Sequence, residues 1–339
     1  MRKIAIINSD PMDCSYGGVA PFMRNMHPFL SKKYDVEYFT IPTSWTNKFI
    51  PGRIKLMISL VIRRKELKSC DFILSHVPEG SFVASFTGKP YCHIYHGNDN
   101  PMTQSRYRLG KYFRGLFNIF FKRIEKTSCL KYTVGPAFAD RKKLFNPICH
   151  NVSIKPYALR KGFIFAGRLE QIKNVDRIIL IYSRLPEDIK EEHHLYIAGY
   201  GTQETTLKEL VKKIGLSDYV KFLGNMPNKE IVEIDSTKRI FLMASTQEGL
   251  PTAIAEALSV GVPVISTNPG DIGLVLKNNK NGFIFPLDFK DEEYVDAILT
   301  ILNDYDRFSK SAKESSAVFE SGKITREVID NIEKILDQA

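Results

Sequence analysis

Residues 240–266 have the sequence IFLMASTQEGLPTAIAEALSVGVPVIS, and this stretch predicts the local fold most directly. The run at 240–244 is apolar and long enough for one buried strand, and the run at 262–266 is typical of the next strand. Between them, the polar turn STQEG leads to Pro251, a residue that suits the first position of a helix. Strand, helix and strand in this order form a right-handed βαβ unit, which predicts a parallel sheet.

The same alternation of strand and helix patterns runs along the whole chain, which indicates the α/β class. It pauses near residues 151–162, a plausible linker, and then restarts. We therefore predict two Rossmann-like, doubly wound domains that face a central cleft, at 1–155 and 156–323, followed by a C-terminal helix at 324–339. The predicted strands are 4–7, 36–40, 72–75, 91–95, 132–134, 163–166, 195–198, 220–223, 240–243, 262–266 and 282–285.

The composition excludes several classes of protein. With 339 residues, 43% of them apolar and 25% charged, the chain is not a disordered tail, a disulfide-stapled miniprotein or a membrane-spanning channel. Its net charge of +10 is divided unevenly, because residues 1–155 contain 25 Lys and Arg against 10 Asp and Glu, and the remainder is acidic. This asymmetry favours an anionic partner for the first domain, and it is equally typical of a solvated surface.

The cysteines and the N-terminal residues bear on the cellular compartment. The five cysteines are odd in number and include no Cys-x-x-Cys pair, so they predict neither a disulfide framework nor a zinc site. The basic start is followed by only four apolar residues, at 4–7, which indicates a first strand rather than a signal peptide. The sequence therefore predicts a cytoplasmic protein with reduced cysteines.

Two pairs of charged residues follow predicted strands of the second domain. Glu248 lies on the loop before a predicted helix, and Glu256 lies about a turn and a half inside that helix. A helix N-terminus binds anions, and carboxylates beside it accept hydrogen bonds from hydroxyls, so the pair suits a sugar nucleotide. Arg168 and Lys173 follow the strand at 163–166 and offer a guanidinium fork and an ammonium charge to one diphosphate.

These two pairs, in this order and spacing, resemble the donor site of the family 4 retaining glycosyltransferases, which are two-domain GT-B enzymes. The matching residues are Glu248 with Glu256 and, earlier in the chain, Arg168 with Lys173. The resemblance covers nearly all of residues 160–287. It includes two further landmarks, YIAGYG at 196–201 and VKFLGNMP at 220–227.

The resemblance implies a role for each matching residue. Arg168 and Lys173 would bind the diphosphate and stabilise the departing nucleotide, and Glu248 would hold sugar hydroxyls. Glu256 would bind the ribose hydroxyls. The other implied donor contacts are the base at Asn225 and Met226, the phosphates at backbone groups of Gly249, Leu250 and Thr252, and a glycine loop at Gly17 and Gly18.

His96 follows the predicted strand at 91–95 and matches a histidine that lies near the transferred sugar in the family. It joins Arg168, Lys173 and Glu248 as a catalytic candidate. The alternative for His96 is a histidine at a strand end with satisfied hydrogen bonds and no part in the chemistry.

The resemblance also implies the reaction, transfer of a hexose-type sugar with retention from a nucleoside diphosphate sugar, with UDP favoured over GDP. No protein nucleophile is expected, because both glutamates are assigned to donor binding. No metal or cofactor is expected either, since the one Asp-x-Asp motif, at Asp304, lies in a helical region. The chain departs from the family at Ala20 and in the segment PGDIGL at 269–274, and the second departure, which removes a glutamate near the donor loop, leaves the donor sugar open.

Two basic stretches of the first domain, 53–68 and 106–123, combine cations with large apolar side chains. In the second stretch, Tyr112, Ile119 and Phe121 lie outside the apolar stripe of the predicted helix, so we expect them to be exposed. Basic aromatic helices lie on anionic membranes, which predicts a peripheral protein on the cytoplasmic face of the plasma membrane with a lipid-linked or polysaccharide acceptor. Ordinary domain helices with snorkelling cations are the alternative.

Three other functions are weighed against the transferase. A catalytically inactive GT-B partner subunit would be expected to lose the charged donor residues, which this chain keeps. A sugar-nucleotide epimerase of similar shape stays open. A nucleic-acid-binding protein would explain the basic charge, but the sequence contains no recognisable nucleic-acid module, so no nucleic-acid partner is predicted.

Overall fold

The chain forms two compact units in the computed structural model, which describes residues 1–12, 19–46, 50–96, 110–134, 141–149, 152 and 154–338. The first unit comprises Met1–Pro147 together with Ser321–Ala339, and the second comprises Ile148–Glu320. The first unit contains 27 Lys and Arg against 14 Asp and Glu, a net charge of +13, and the second has −3. The charge asymmetry predicted for the two domains therefore holds for the two units.

The first unit is built on a parallel sheet whose strands are short and buried on their inner positions. The strands are β1 (Lys3–Ile7), β2 (Asp35–Phe39), β3 (Phe72–Ser75), β4 (Tyr91–Tyr95), β5 (Leu130–Thr133) and β6 (Lys142–Lys143). They lie in the order β2-β1-β3-β4-β5-β6. The connecting helices are α1 (Val19–Leu30), α2 (Gly52–Ile62), α3 (Arg64–Ser69), α4 (Pro78–Ala84) and α5 (Gly110–Thr127).

The second unit repeats this plan with a second parallel sheet. Its strands are β7 (Phe163–Ala166), β8 (Leu195–Ala198), β9 (Val220–Gly224), β10 (Ile240–Leu242), β11 (Val264–Thr267) and β12 (Gly282–Phe285), in the order β12-β11-β10-β7-β8-β9. Its helices are α6 (Val175–Ser183), α7 (Glu187–Glu192), α8 (Glu204–Lys213), α9 (Asn228–Asp235), α10 (Thr252–Ser259), α11 (Asp291–Asn303) and α12 (Tyr305–Ser315). Short 3-10 turns lie at Gln171–Lys173 and Asp271–Leu274, among others.

Each sheet has a point at which the direction of winding reverses. In the first sheet, the chain runs from β1 outward to β2 and then returns to β3 on the other side of β1. In the second sheet, it runs from β7 through β8 to β9 and then returns to β10 on the other side of β7. At such a switch point the two adjacent loops lead away in opposite directions, which leaves a crevice at the carboxyl edge of the sheet.

Both domain boundaries lie earlier in the chain than the predicted 155 and 323. The backbone N–H of Ile148 donates to the carbonyl of Phe319 at 2.8 Å, which ties the start of the second unit to its end. Arg160, within the predicted linker, is fully buried, and its Nη1 donates to the carbonyl of Gly261 at 3.0 Å. The segment predicted as a linker is therefore part of the second unit.

The last helix, α13 (Ser321–Leu336), begins three residues before the predicted 324 and belongs to the first unit. Its buried stripe shares one core cluster with α1 and the first sheet. The hydroxyl of Tyr34 donates to Oε1 of Glu333 at 2.7 Å on the same side. The residues of the stripe are Ile324, Val328 and Ile332.

The strand predictions agree with the structure except for β6, which consists of two lysines and carries no apolar signal. In α5, Ile119 is exposed as expected, whereas Phe121 is buried, against the prediction. The ring of Phe121 packs near that of Tyr95, with 6.3 Å between centroids. Tyr112 lies outside the described side chains. The second basic stretch therefore exposes less apolar surface than its sequence predicts.

Candidate functional site

The switch point of the second sheet holds an ion pair between two predicted site residues. Lys173 ends the 3-10 turn that follows β7, and Glu248 lies on the loop that follows β10. The Lys173 ammonium contacts Oε1 of Glu248, and both side chains are largely buried, at 14% and 12% exposure. The backbone N–H of Thr246 donates to the carbonyl of Ile172 at 2.8 Å, so the two loops are also joined through the backbone.

A third loop, after β11, is pressed against the Glu248 loop through a glycine. A Cβ atom on Gly270 would lie 2.3 Å from the carbonyl oxygen of Glu248, so only glycine fits there. The backbone N–H of Asp271 donates to the carbonyl of Gly249 at 3.1 Å. The segment in which the sequence departs from the family therefore contacts the loop that carries Glu248.

The loop after β7 is held in the same way from its other side. Gly199, which follows β8, has a φ of +141°, and a Cβ on it would lie 1.8 Å from the carbonyl oxygen of Gly167. Close backbone approach of this kind requires glycine at Gly199. The loops that follow β8, β7, β10 and β11 thus form one connected edge with Lys173 and Glu248 in its middle.

Glu256 lies in the first turns of α10 and is buried. The Nδ2 of Asn228, the first residue of α9, donates to its Oε1 at 3.1 Å. Burial raises the pKa of Glu256 to about 7, and the Asn228 hydrogen bond opposes part of that rise. Near neutral pH this carboxyl is therefore divided between its neutral and its ionised form.

Two more titratable groups lie near Glu256. Asp235 is fully buried, neither of its carboxyl oxygens has a hydrogen-bond partner among the residues that the structure describes, and burial raises its pKa well above 3.8. Burial lowers the pKa of Lys238 to about 8, and its ammonium lies 3.4 Å from the ring centroid of Tyr196. The interior behind Glu256 is consequently poorly solvated.

The other predicted donor residues differ in how far they are exposed to solvent. Arg168 is exposed, and its side chain forms no ion pair with another described residue. Asn225 is exposed and Met226 half-buried, directly after β9. Gly249 and Thr252 are half-buried beside the start of α10, and Leu250 is buried. Gly17 and Gly18 lie outside the described residues, so the predicted glycine loop stays a prediction.

The first unit contains a pair of histidines in direct contact. His96, directly after β4, is half-buried, and its Nε2 lies 2.7 Å from Nδ1 of His76, which follows β3. Burial lowers the pKa of His96 to about 4 and that of His76 well below 6.5. Both rings are therefore neutral at physiological pH. The sequence pointed to His96 but not to His76, although both histidines directly follow a buried strand.

Asn228 and Gly270 were also missed as site residues. Asn228 begins a helix, a position at which a polar residue is ordinary, and Gly270 lies in a turn, where glycine is ordinary. Among the residues described, no group of three or more His, Cys, Asp or Glu is placed to hold a metal ion. Over the same residues, no helix has the length and apolar character that crossing a bilayer requires.

Comparison with known proteins adds to this geometry. O-antigen chain mannosyltransferase B from Escherichia coli is 30% identical over 124 residues, which cover 34% of this chain and 32% of that protein. The chain spans half or less of the length of this and two further curated relatives.

Two solved structures have the same fold. Sucrose-phosphate synthase from Thermosynechococcus elongatus aligns over all of both chains with a TM-score of 0.77 and 15% identity. HepE from Anabaena, in complex with UDP-glucose, aligns over 98% of this chain and 100% of its own with a TM-score of 0.69 and 16% identity. The fold is therefore GT-B, as predicted.

The model of the family described as glycosyl transferases group 1 matches residues 155–316. This range includes β7 to β12, the Lys173–Glu248 pair and Glu256. Residues 155–316, which carry the candidate site of the second unit, thus match the glycosyl transferases group 1 family.

Proposed function

We propose that the protein is a retaining glycosyltransferase that moves a hexose-type sugar from a nucleoside diphosphate sugar to a lipid-linked or cell-surface polysaccharide acceptor. The observation that carries the proposal is the Lys173–Glu248 ion pair at the switch point of the second sheet, within the segment that matches the family. A cation and a carboxylate held side by side suit a ligand that joins a diphosphate to sugar hydroxyls.

The compared proteins support this class of reaction. One relative is named as a mannosyltransferase of O-antigen chains, and one protein of the same fold was solved with UDP-glucose. We therefore favour UDP over GDP as the donor nucleotide and a glycan or a lipid-linked glycan as the acceptor.

Donor binding would exchange one ion pair for another. The Lys173 ammonium is neutralised by Glu248 in the structure. A diphosphate would take over that ammonium, together with the exposed guanidinium of Arg168, and the freed carboxylate of Glu248 would accept hydrogen bonds from sugar hydroxyls. The same two cations would stabilise the negative charge that develops on the departing nucleotide.

The remaining contacts would orient the donor. Glu256 would accept hydrogen bonds from the ribose hydroxyls, and Asn225 with Met226 would contact the base. Backbone groups of residues 249–252 would bind phosphate at the start of α10. Transfer would proceed on one face of the sugar without a protein nucleophile, and Arg168 and Lys173 would take the place of a metal ion.

The test is nucleotide release that depends on the acceptor. Thermal-shift screening of UDP- and GDP-sugars would first identify a donor that stabilises the protein. The transferase predicts that UDP is released from this donor only after a glycan or lipid-linked acceptor is added. Conversion of the sugar nucleotide without an acceptor would indicate an epimerase instead, and binding without turnover of any acceptor would indicate an inactive subunit.

We also propose that the first unit attaches to an anionic membrane through one face of α2. Four apolar residues at helical spacing on this helix are between 41% and 68% exposed. Basic residues continue from its C-terminal end into α3, and the unit as a whole carries +13. The four apolar residues are Ile54, Ile58, Val61 and Ile62.

The exposed face of α2 continues onto α5 through Phe86, which is 50% exposed. Arg64, two residues beyond α2, donates to the carbonyl of Phe86 at 3.3 Å. The Arg123 guanidinium of α5 lies 3.8 Å from the Phe86 ring centroid, and Ile119 is exposed one turn earlier on that helix. Apolar side chains alternating with arginines match an anionic headgroup region.

Flotation with vesicles tests this attachment. The wild type should float with phosphatidylcholine vesicles that contain phosphatidylglycerol, and less so as salt is added. The double variant I58S/I62S should stay in the dense fraction. L180S is the matched control, because Leu180 is similarly exposed but lies on the second unit. A wild-type protein that does not float at low salt, or an I58S/I62S variant that floats as well as the wild type, would contradict a membrane role. Either result would leave the transferase proposal standing.

A further inference from the structure

We propose that His76 is a positioning residue for His96 in sugar transfer. Its imidazole engages Nε2 of His96, so that Nδ1 is the one ring nitrogen that His96 can offer to the transferred sugar. This inference rests on the proposed function and on the role that the family resemblance implies for His96, near the transferred sugar.

Three parts of the first unit fix the geometry of the pair, namely the positions directly after β3 and β4 and the helix α1. Nδ1 of His76 and Nε2 of His96 are 2.7 Å apart, within hydrogen-bond distance. The ring of Phe22, from α1, meets both imidazoles edge to face, with centroid distances of 5.5 Å to His76 and 5.1 Å to His96. Phe22 is 1% exposed and His76 is 6% exposed, so neither ring can swing away without opening the core.

The protonation state makes the contact selective. A direct hydrogen bond between two imidazole nitrogens uses one proton and one lone pair. Burial keeps both rings neutral at physiological pH, and a charge on His96 would further lower the pKa of His76. The tautomer of His96 is therefore set by that of His76, because Nδ1 of His96 carries a proton when Nε2 accepts and is bare when Nε2 donates.

This arrangement suits a hydroxyl ligand. A neutral imidazole with a defined tautomer forms one directed hydrogen bond with a sugar hydroxyl and does not compete with the diphosphate as a charge. Without its partner, the ring of His96 could present either nitrogen, and a ring flip of this kind misplaces the bonding atom.

A third histidine supplies the matched control. His93, on β4, is 1% exposed, and its Nδ1 lies 2.7 Å from Oγ of Ser81. It is as buried as His76 and likewise hydrogen-bonded, but within the described part of the chain it forms no hydrogen bond with His96. Loss of packing or burial alone should therefore affect variants of His93 and His76 alike.

The kinetic test compares H76F, H76N and H93N. H76F keeps a ring but loses the hydrogen bond, and it should lower kcat about tenfold to hundredfold while the donor KM stays within about twofold. H76N places an amide near the position of Nδ1 and should recover most of that loss. H93N should keep the wild-type kcat when it is assayed at a temperature at which it stays folded. Equal losses in H76F and H76N, or a loss in H93N as large as that in H76F, would overturn the positioning role.

A second measurement does not require turnover. Long-range ¹H–¹⁵N spectra of the histidine side chains report which ring nitrogen carries the proton. We expect one tautomer of His96 in the wild type and in H76N, and a mixture in H76F. An unchanged His96 spectrum in H76F would overturn the inference. Absence of acceptor-dependent release by the wild type would instead refute the proposed function, and the spectra would still decide whether His76 positions His96.

Discussion

The two sheets place very different chemistry beside equivalent points of the fold. Near the switch point of the second sheet, Lys173 and Glu248 form an ion pair between loops that follow β7 and β10. Near that of the first sheet, His76 follows β3 and forms a neutral pair with His96. One crevice edge therefore holds full charges that neutralise each other, and the other holds dipoles.

The difference teaches that local groups, rather than the net charge of a unit, decide what a crevice can bind. The unit with −3 supplies the cation suited to a diphosphate, whereas the unit with +13 offers neutral imidazoles beside its sheet. The excess positive charge of the first unit is available for a different anionic partner.

The strongest test of the charged pair is Lys173→Ala. Removing the ammonium leaves the partly buried Glu248 carboxylate unpaired and takes away a cation from the departing nucleotide. We expect transfer to fall by about a hundredfold to a thousandfold, measured as kcat with saturating donor.

Lys190→Ala is the matched control for that change. Lys190 is 12% exposed and pairs with Glu187 at 2.7 Å, within the same unit but on α7. It should keep near wild-type activity. Turnover of K173A at the wild-type level would contradict the assignment of the crevice.

The next largest effect is expected from Glu256→Gln. Loss of an ionised acceptor should weaken UDP binding about tenfold to hundredfold at pH 8. In the wild type, UDP affinity should fall as pH drops through about 7, because protonation of Glu256 removes the carboxylate. The variant should not show this fall, and calorimetric titration of both proteins at each pH cancels the ionisation of UDP itself.

The same variant is expected to weaken UDP binding but to raise the stability of the fold at pH 8. The pKa of Glu256 is raised from 4.5 in the unfolded chain to about 7 in the folded one. Its contribution to stability is therefore fully present below pH 4.5 and is lost as pH rises through 7, a change of about 3 kcal/mol. E256Q should consequently be the more stable protein at pH 8. Equal urea midpoints at pH 8 would contradict this.

A smaller effect is expected from Gly270→Ala, which tests whether donor binding depends on the position of the Glu248 loop. The new Cβ would lie 2.3 Å from the Glu248 carbonyl oxygen, so the loop must move. Donor affinity should fall by about tenfold. Gly273→Ala is the control in the same turn, where the nearest atoms to a Cβ are 3.6 Å away. Equal affinity of the two variants would show that the loop tolerates displacement.

The smallest functional effect is expected from Ser81→Ala in the first unit. It removes the partner of the buried His93 and should lower the free energy of unfolding by about 1–3 kcal/mol. The kcat of the folded protein should not change, because within the described residues neither Ser81 nor His93 forms a hydrogen bond with His76 or His96. Urea denaturation measures the loss of stability, and initial rates measure kcat independently. A fall in kcat would contradict the prediction that the Ser81–His93 pair takes no part in sugar transfer.

The strands could largely be predicted from the sequence because their signals are local. The sequence also pointed to Lys173 and Glu248, whose side chains are in contact, whereas the donor-binding roles of the second-unit residues stay predictions. Continuous β-branched and aromatic runs mark β3, β4, β7, β8 and β12 at the observed bounds. Arg168 and Lys173 lie on the loop after β7, Glu248 lies on the loop after β10 and Glu256 lies in α10, so their spacing reflects two loops and a helix at one edge of one sheet.

The parts that escaped prediction depend on contacts between distant segments. His76 is twenty residues from His96, and parallel pairing of β3 with β4 brings them together. The burial of Phe121 depends on Tyr95, and that of Arg160 on Gly261, more than a hundred positions away. Periodicity describes one element at a time, so it cannot say which neighbour covers a face.

The placement of α13 constrains how the protein can fold during synthesis. The chain leaves the first unit after Pro147, completes the second, and returns at Ser321 to supply a helix to the first core. The second unit is one continuous segment, and the ribosome can release it whole, whereas the first stays unfinished until Ile332 has emerged. The N-terminal part of the chain, although made first, is therefore expected to close its core last, because the apolar face of α1 has to wait for the last helix to cover it.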